Sequence, residues 1–112
     1  MEEKFSRKPY DVSNKFLENH TQIYNYGIDA FGYFQAEKYS RKIDDALETL
    51  PDYYSVYPEC RHITTKSRMY RNIVLDSHLI IYRITTQRIE VLDIIHSASS
   101  IGKIRTARNI RL

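Results

Sequence analysis

At 112 residues, with 42% apolar and 28% charged residues, the chain has the composition of one ordinary folded domain, which argues against a second domain and against global disorder. Its one cysteine, Cys60, excludes an internal disulfide and, with no ligand set beside it, a zinc site. The net charge of +3 is unevenly divided: residues 1–60 hold 7 Lys/Arg against 11 Asp/Glu and residues 61–112 hold 10 against 3, so the basic half either meets an anionic partner, nucleic acid or an acidic peptide, or is a solvated surface.

Residues 1–8 read as a loose lead-in. Met1-Glu-Glu-Lys-Phe5 is charged and lacks the apolar core of a signal peptide, and no run approaches the ~18 apolar residues of a membrane span, so a cytoplasmic protein is expected. Tyr10-Asp11-Val12 reads as a short edge strand. Ser13 suits a helix N-cap, its hydroxyl accepting from otherwise unpaired N–H groups. Phe16, His20, Ile23, Gly27 and Ala30 recur at spacings of three and four, one face of an amphipathic helix, and Gly32 is placed to end it. Ala36, Tyr39, Ile43, Ala46, Leu47 and Leu50 keep helical spacing in a second helix, with Glu37, Lys38, Arg41, Lys42, Asp44 and Asp45 outside, until Pro51 stops it. Helices joined this closely pack as an antiparallel hairpin. Residues 52–67, with Pro58 and several tyrosines, read as a loop with a short strand near His62 to Thr64.

From Tyr70 the period changes. Ile73-Val74-Leu75, Leu79-Ile80-Ile81-Tyr82 and the run from Ile89 to Ile95 are β-branched and apolar, and Asp76-Ser77 and Thr86-Gln87 between them suit two-residue hairpin turns. The expected fold class is therefore α+β, a helical hairpin on a small antiparallel sheet. Two-residue turns place Arg71 opposite Tyr82, Tyr82 opposite Val91, Ile73 opposite Ile80 and Ile80 opposite Asp93. On this register one face carries Arg71, Tyr82 and Asp93 among apolar residues. The other carries Val74, Leu79, Ile81, Leu92 and Ile94 with an Arg83–Glu90 pair, and, being the more apolar, is expected to receive the helices. Residues 97–112 are basic. Ile101, Ile104 and Ala107 form a short helical stripe after Ser100, or the segment is a mobile tail.

The run Ile23-Tyr-Asn-Tyr-Gly-Ile-Asp-Ala-Phe-Gly32, the following Gln35-Ala36-Glu37-Lys38-Tyr39 and the opening Ser13 resemble the helical hairpin of ParE-like members of the RelE/ParE toxin superfamily. Tyr70-Arg71, then Ser77 to Ile84, then Ile89 to His96 are similar to that family's meander, and the resemblance runs from Tyr10 to His96. It implies the toxin of a type II toxin–antitoxin (plasmid-stabilisation) pair, neutralised by a cognate antitoxin, with operator DNA reached only through the antitoxin. It implies DNA gyrase as the target for a ParE-like protein. For a RelE-like one it implies the ribosome, with cleavage of mRNA by basic side chains and a tyrosine near the C-terminus. The chain departs from the pattern after His96, where Ser97-Ala98-Ser99-Ser100 replaces an arginine-containing turn, and no tyrosine follows Tyr82. The missing tyrosine weighs against the nuclease, and the altered turn puts in doubt any role carried by the missing arginine.

Were the chain a nuclease, attack by the 2′-hydroxyl would need a base, an acid and a cation. His96 could be the base or acid, Arg71 could hold the phosphate and Tyr82 could stack a nucleobase. The plainer alternatives are a strand end for His96 and a core position for Tyr82. For an antitoxin or target, Arg61, Arg68, Arg71 and Arg83 are candidate anchors for acidic groups, joined by Lys103 and Arg105. No cofactor or metal is expected: the three glycines form no phosphate-cradling loop, and His62, His78 and His96 lack helical ligand spacing. A non-toxic interaction module of the same fold is the remaining class.

Overall fold

The computed structural model describes residues 6–112. The charged segment Met1 to Phe5 of the expected lead-in lies outside the described residues. Residues 7 and 8 are not loose: Arg7 pairs with Asp52 at 3.0 Å and the Lys8 N–H donates to the Pro51 carbonyl at 3.2 Å.

The order is β1 (Tyr10–Val12), α1 (Asn14–Phe31), α2 (Tyr33–Tyr53), β2 (Tyr70–Val74), β3 (His78–Ile84), β4 (Ile89–His96) and α3 (Ile101–Arg105), followed by a 3-10 turn (Thr106–Asn109). Ser13 caps α1 as expected, accepting from the Phe16 N–H at 2.9 Å, while its hydroxyl donates to the Leu92 carbonyl. Gly32 separates the helices at φ +90°, a left-handed conformation costly for any side chain. The hairpin is tightest at Gly27, where an added Cβ would lie 3.4 Å from that of Ala36. Pro51 does not stop α2 but sits in its last turn, which continues to Tyr53 with the Tyr54 N–H reaching the Leu50 carbonyl. Proline removes only its own N–H bond, so a single terminal turn survives it. No helix among the described residues is long and apolar enough to cross a membrane.

The sheet has the order β1-β4-β3-β2. β2–β3–β4 form the expected antiparallel meander, whereas β1 pairs parallel with β4, Tyr10 facing Ile89 and Val12 facing Val91, so the whole sheet is mixed. The first hairpin keeps the expected register: Arg71 faces Tyr82 and Ile73 faces Ile80. In the second, Tyr82 faces Val91 as expected, but Ile81 already faces Asp93, so Leu92 is an extra residue and Ile80 meets Ile94 rather than Asp93. This is a β-bulge, which shifts every later residue of the strand by one. The expected strand near His62 to Thr64 is absent. The loop instead makes one bridge, Glu59 to Arg71.

The bulge and the C-terminus together reverse the expected layering. The helices lie on the face of Ile73, Ile80, Tyr82, Val91 and Ile94, where Phe16, Ile43, Leu47 and Leu50 complete the main core. The opposite face, with Ile81, Leu92 and Ile95, is covered by Cys60, Ile63, Ile104 and Ala107. That second cover is α3 and its following turn, so residues 97–112 are not a mobile tail. Ser100 caps α3 by accepting from the Lys103 N–H at 3.2 Å. Comparing the two faces of the meander alone could not foresee a lid supplied by the C-terminus.

Candidate functional site

A groove of 610 Å³ opens between the helical hairpin and the turn end of the sheet. Its walls are apolar where Ile23, Ala36 and Ile43 of the helices meet Ile94 of the sheet, and polar at one end. Two cross-connections hold the walls. The His20 ring Nε2 lies 3.3 Å from the Ser40 hydroxyl, bridging the helices. Asn19 donates to the buried Asp93 carboxylate at 2.6 Å, which also accepts from the Ile94 N–H. Burial pushes the Asp93 carboxyl above its usual value, against the lowering effect of those bonds.

The polar end is built by the bulge. Because Leu92 adds one residue, His96 pairs with His78 at the end of the β3–β4 ladder, and the two rings stand 5.3 Å apart, edge to face. The Ser77 N–H donates to the Tyr39 hydroxyl at 3.3 Å, and that hydroxyl lies 2.7 Å from His78 Nδ1. The Ala98 N–H donates to His96 Nδ1 at 3.0 Å. Burial, and then repulsion by His96, hold His78 below the usual histidine value, and burial raises Tyr39. Lys103, exposed on α3, also lines the groove. Among the nearby acids Asp76 is held by Lys42 at 2.8 Å.

Of the three residues expected to form a nuclease site, only His96 lies here. Tyr82 is fully buried and its hydroxyl donates to the Tyr54 carbonyl at 2.5 Å. Arg71 holds the preceding loop: Nη1 donates to the Ser55 and Tyr57 carbonyls at 3.0 and 2.8 Å, and Nε to the Arg68 carbonyl at 2.8 Å. Tyr82 pairs with Val91, five residues before His96, and five residues of strand span about 16 Å. The structure does not bring the trio together.

Arg83, expected as an anchor for a partner, is also internal. It pairs with Glu90 at 2.6 Å, with its side chain 8% exposed, and donates to the Ile110 carbonyl at 3.1 Å, tying the C-terminus to the sheet. The other expected anchors are on the surface. Arg61, Lys103 and Arg105 are exposed, Arg105 lending only Nε to the His62 carbonyl. Arg68, at φ +55°, sits 3.5 Å from Glu59. All three acids of the second half are engaged within the fold: Asp76 by Lys42, Glu90 by Arg83 and Arg88, and Asp93 by Asn19. Its surface cations therefore project a positive field.

Tyr39, His78, His20 and Asn19 were not singled out from the sequence as groove residues. Tyr39 and His20 fall on helical stripes that read as core, and without the bulge His78 faces Ile95 rather than His96. At the far end of the hairpin Tyr26, Phe31, Tyr33 and Phe34 are 58–85% exposed and stack in pairs, Tyr26 on Phe31 and Tyr33 on Phe34.

Three comparisons with known proteins bear on this arrangement. The model of a family described as the ParE toxin of the type II toxin–antitoxin system parDE matches residues 10–101. A solved structure from P. aeruginosa, titled as a chromosomal ParDE toxin–antitoxin system, shares the fold with a TM-score of 0.68. At 16% identity the match covers 81% of this chain and 97% of that one. No curated protein sequence matches.

Proposed function

The chain belongs to the ParE toxin family of type II toxin–antitoxin systems, and from that premise we propose that it inhibits DNA gyrase until a cognate antitoxin neutralises it in the cytoplasm. The observation that carries the neutralisation reading is the 610 Å³ groove beside the helical hairpin, apolar along its walls, with His78, His96 and Lys103 in its lining. A disordered antitoxin segment folding on binding would lay an amphipathic helix there, apolar side inward, with its acids toward Lys103. Arg61, Arg68 and Arg105, exposed on the basic half, are the anchors proposed for further antitoxin or target contacts. The apolar groove is also a self-association liability while empty, so antitoxin should raise both the solubility and the melting temperature of the toxin.

Against ribosome-dependent mRNA cleavage stands the engagement of Arg71 and Tyr82 within the fold. Induction of the chain in bacteria, with RNA ends mapped and plasmid supercoiling measured in the same cells, separates the readings. Intact mRNA with impaired supercoiling and DNA damage is expected. Ribosome-dependent cuts abolished by His96→Ala would replace gyrase with mRNA as the target. Normal growth, with neither effect, would point to a non-toxic interaction module.

A further inference from the structure

Each of the two imidazoles at the groove end has a polar neighbour at Nδ1. An amide N–H can only donate, so Ala98 requires a lone pair on His96 Nδ1. The Tyr39 hydroxyl accepts from the Ser77 N–H and has its own proton to give. With that proton given to His78 Nδ1, both neutral rings carry their hydrogen on Nε2. Neither Nε2 has a partner among the described residues. The two rings and the Lys103 ammonium thus line one groove; of its neighbouring acids Asp76 pairs with Lys42, and Asp93 is bonded by Asn19 and feels the Lys103 charge.

We propose that His78, His96 and Lys103 form a carboxylate subsite, which seats one acidic side chain of the peptide segment that occupies the groove. This deepens the neutralisation reading above and rests on it for the identity of the segment. The subsite commits the occupant to an apolar stretch interrupted by a glutamate or aspartate at the groove end. A carboxylate there accepts from both rings and faces Lys103, the one lysine or arginine among the described groove residues, whose charge also reaches Asp93.

The subsite also couples occupancy to pH. With the groove empty, burial and His96 keep His78 neutral. A bound carboxylate offsets that repulsion and favours an added proton on His78, whose Nδ1 faces the Tyr39 oxygen, so the complex tightens as pH falls from 8 towards 6, where the carboxylate itself remains ionised. The charged and titratable groups around the pair are His20 from α1, Tyr39 and Lys42 from α2, Asp76 from the turn, Asp93 from β4 and Lys103 from α3. His20 stands at the opposite wall, engaged with Ser40.

The test uses the full chain and two capped leucine-rich peptides that differ only in one central residue, glutamate or glutamine. The glutamate peptide should bind about tenfold tighter than its twin at pH 6 and about threefold tighter at pH 8, the range expected of charge-assisted hydrogen bonds. Nitrogen-15 spectra of the free chain at pH 7.5 should show both rings protonated on Nε2. The double variant His78→Gln, His96→Gln keeps an amide donor at each position without a titrating group, and should retain the preference seen at pH 8 while losing its growth at pH 6. Equal affinity of the twins, no binding of the glutamate peptide, or an Nδ1–H tautomer on either ring overturns the proposal. Ser40→Trp, which fills the groove wall, separates it from the wider reading. If that variant blocks the peptides but leaves antitoxin binding unchanged, the subsite stands and the antitoxin docks elsewhere.

Discussion

Tyr82 carries a hydroxyl in a place where phenylalanine would fill the same volume. Its ring is part of the main core, and its one polar atom reaches the Tyr54 carbonyl at the end of α2. Tyr82→Phe should therefore cost about 1 kcal/mol of stability, the worth of one buried hydrogen bond, and leave toxicity intact; loss of toxicity at unchanged melting temperature would restore Tyr82 to the site. Arg83 is a larger commitment. Arg83→Met removes a partner of Glu90 and the donor to the Ile110 carbonyl, so a loss of about 3 kcal/mol is expected, with the C-terminal residues becoming sensitive to carboxypeptidase. The two acids of β4 respond to pH in opposite directions. Burial alone would raise the Glu90 carboxyl, but Arg83 and Arg88 outweigh it and hold it below its ordinary value. A depressed carboxyl stabilises the fold above its unfolded value of about 4.3 and loses that contribution as pH falls through the folded one. Asp93 is raised, so its negative charge weakens the fold once pH exceeds the unfolded value, and protonation relieves it. Melting curves should show Glu90→Gln destabilised at pH 7 with a flattened acid limb. Asp93→Asn, which keeps the oxygen that accepts from Asn19 and Ile94, should melt no lower than the parent at pH 7; a clear drop would mean that the charge itself holds α1 to the sheet.

Between elements, the most consequential residue is one that packs inconspicuously. Leu92 is the extra residue of the bulge. Its carbonyl accepts from the Ser13 hydroxyl that also caps α1, so the helix start and the bulge are one device. Ser13→Ala should lose about 1–2 kcal/mol, at the upper end of N-cap substitutions because two bonds go together, and a much smaller loss in Ser13→Gly would show that the cap geometry rather than the hydroxyl matters. Much of the fold was legible in the sequence: the cap at Ser13, the break at Gly32, the helical stripes and the register of the first hairpin each rest on local rules of period and turn. The bulge was not, because nothing in Val91-Leu92-Asp93 distinguishes an inserted residue from a continuous strand. That single miss moved Ile94 to the helix side and paired His96 with His78, and so hid the groove end from a reading that had correctly singled out His96. The arginines were ambiguous for a different reason: exposed anchors and internal braces share one residue type, and only the carbonyls around Arg71 and the Glu90 beside Arg83 distinguish them.

For the molecule as a whole, charge and exposed apolar surface are segregated. Basic residues dominate the second half, while Tyr26, Phe31, Tyr33 and Phe34 crowd the tip of the hairpin. Being exposed, these aromatics contribute little to folding, so Phe31→Ser and Phe34→Ser should each leave stability within about 0.5 kcal/mol while reducing self-association seen by light scattering; a large fall in melting temperature would mean that the tip braces the hairpin. The parallel pairing of β1 with β4 has a consequence for how such a protein is made. Ser13 bonds a residue 79 positions further along the chain, and β1 lies against β4, which follows it at a similar separation. Contacts so distant in sequence form late and slowly. The hairpin can coil while still on the ribosome, but it cannot seat on its sheet, nor can the groove acquire its second wall, until β4 has emerged. A nascent chain therefore has neither a seated hairpin nor a two-walled groove until β4 has emerged, and that delay gives a co-expressed antitoxin its first opportunity to be waiting.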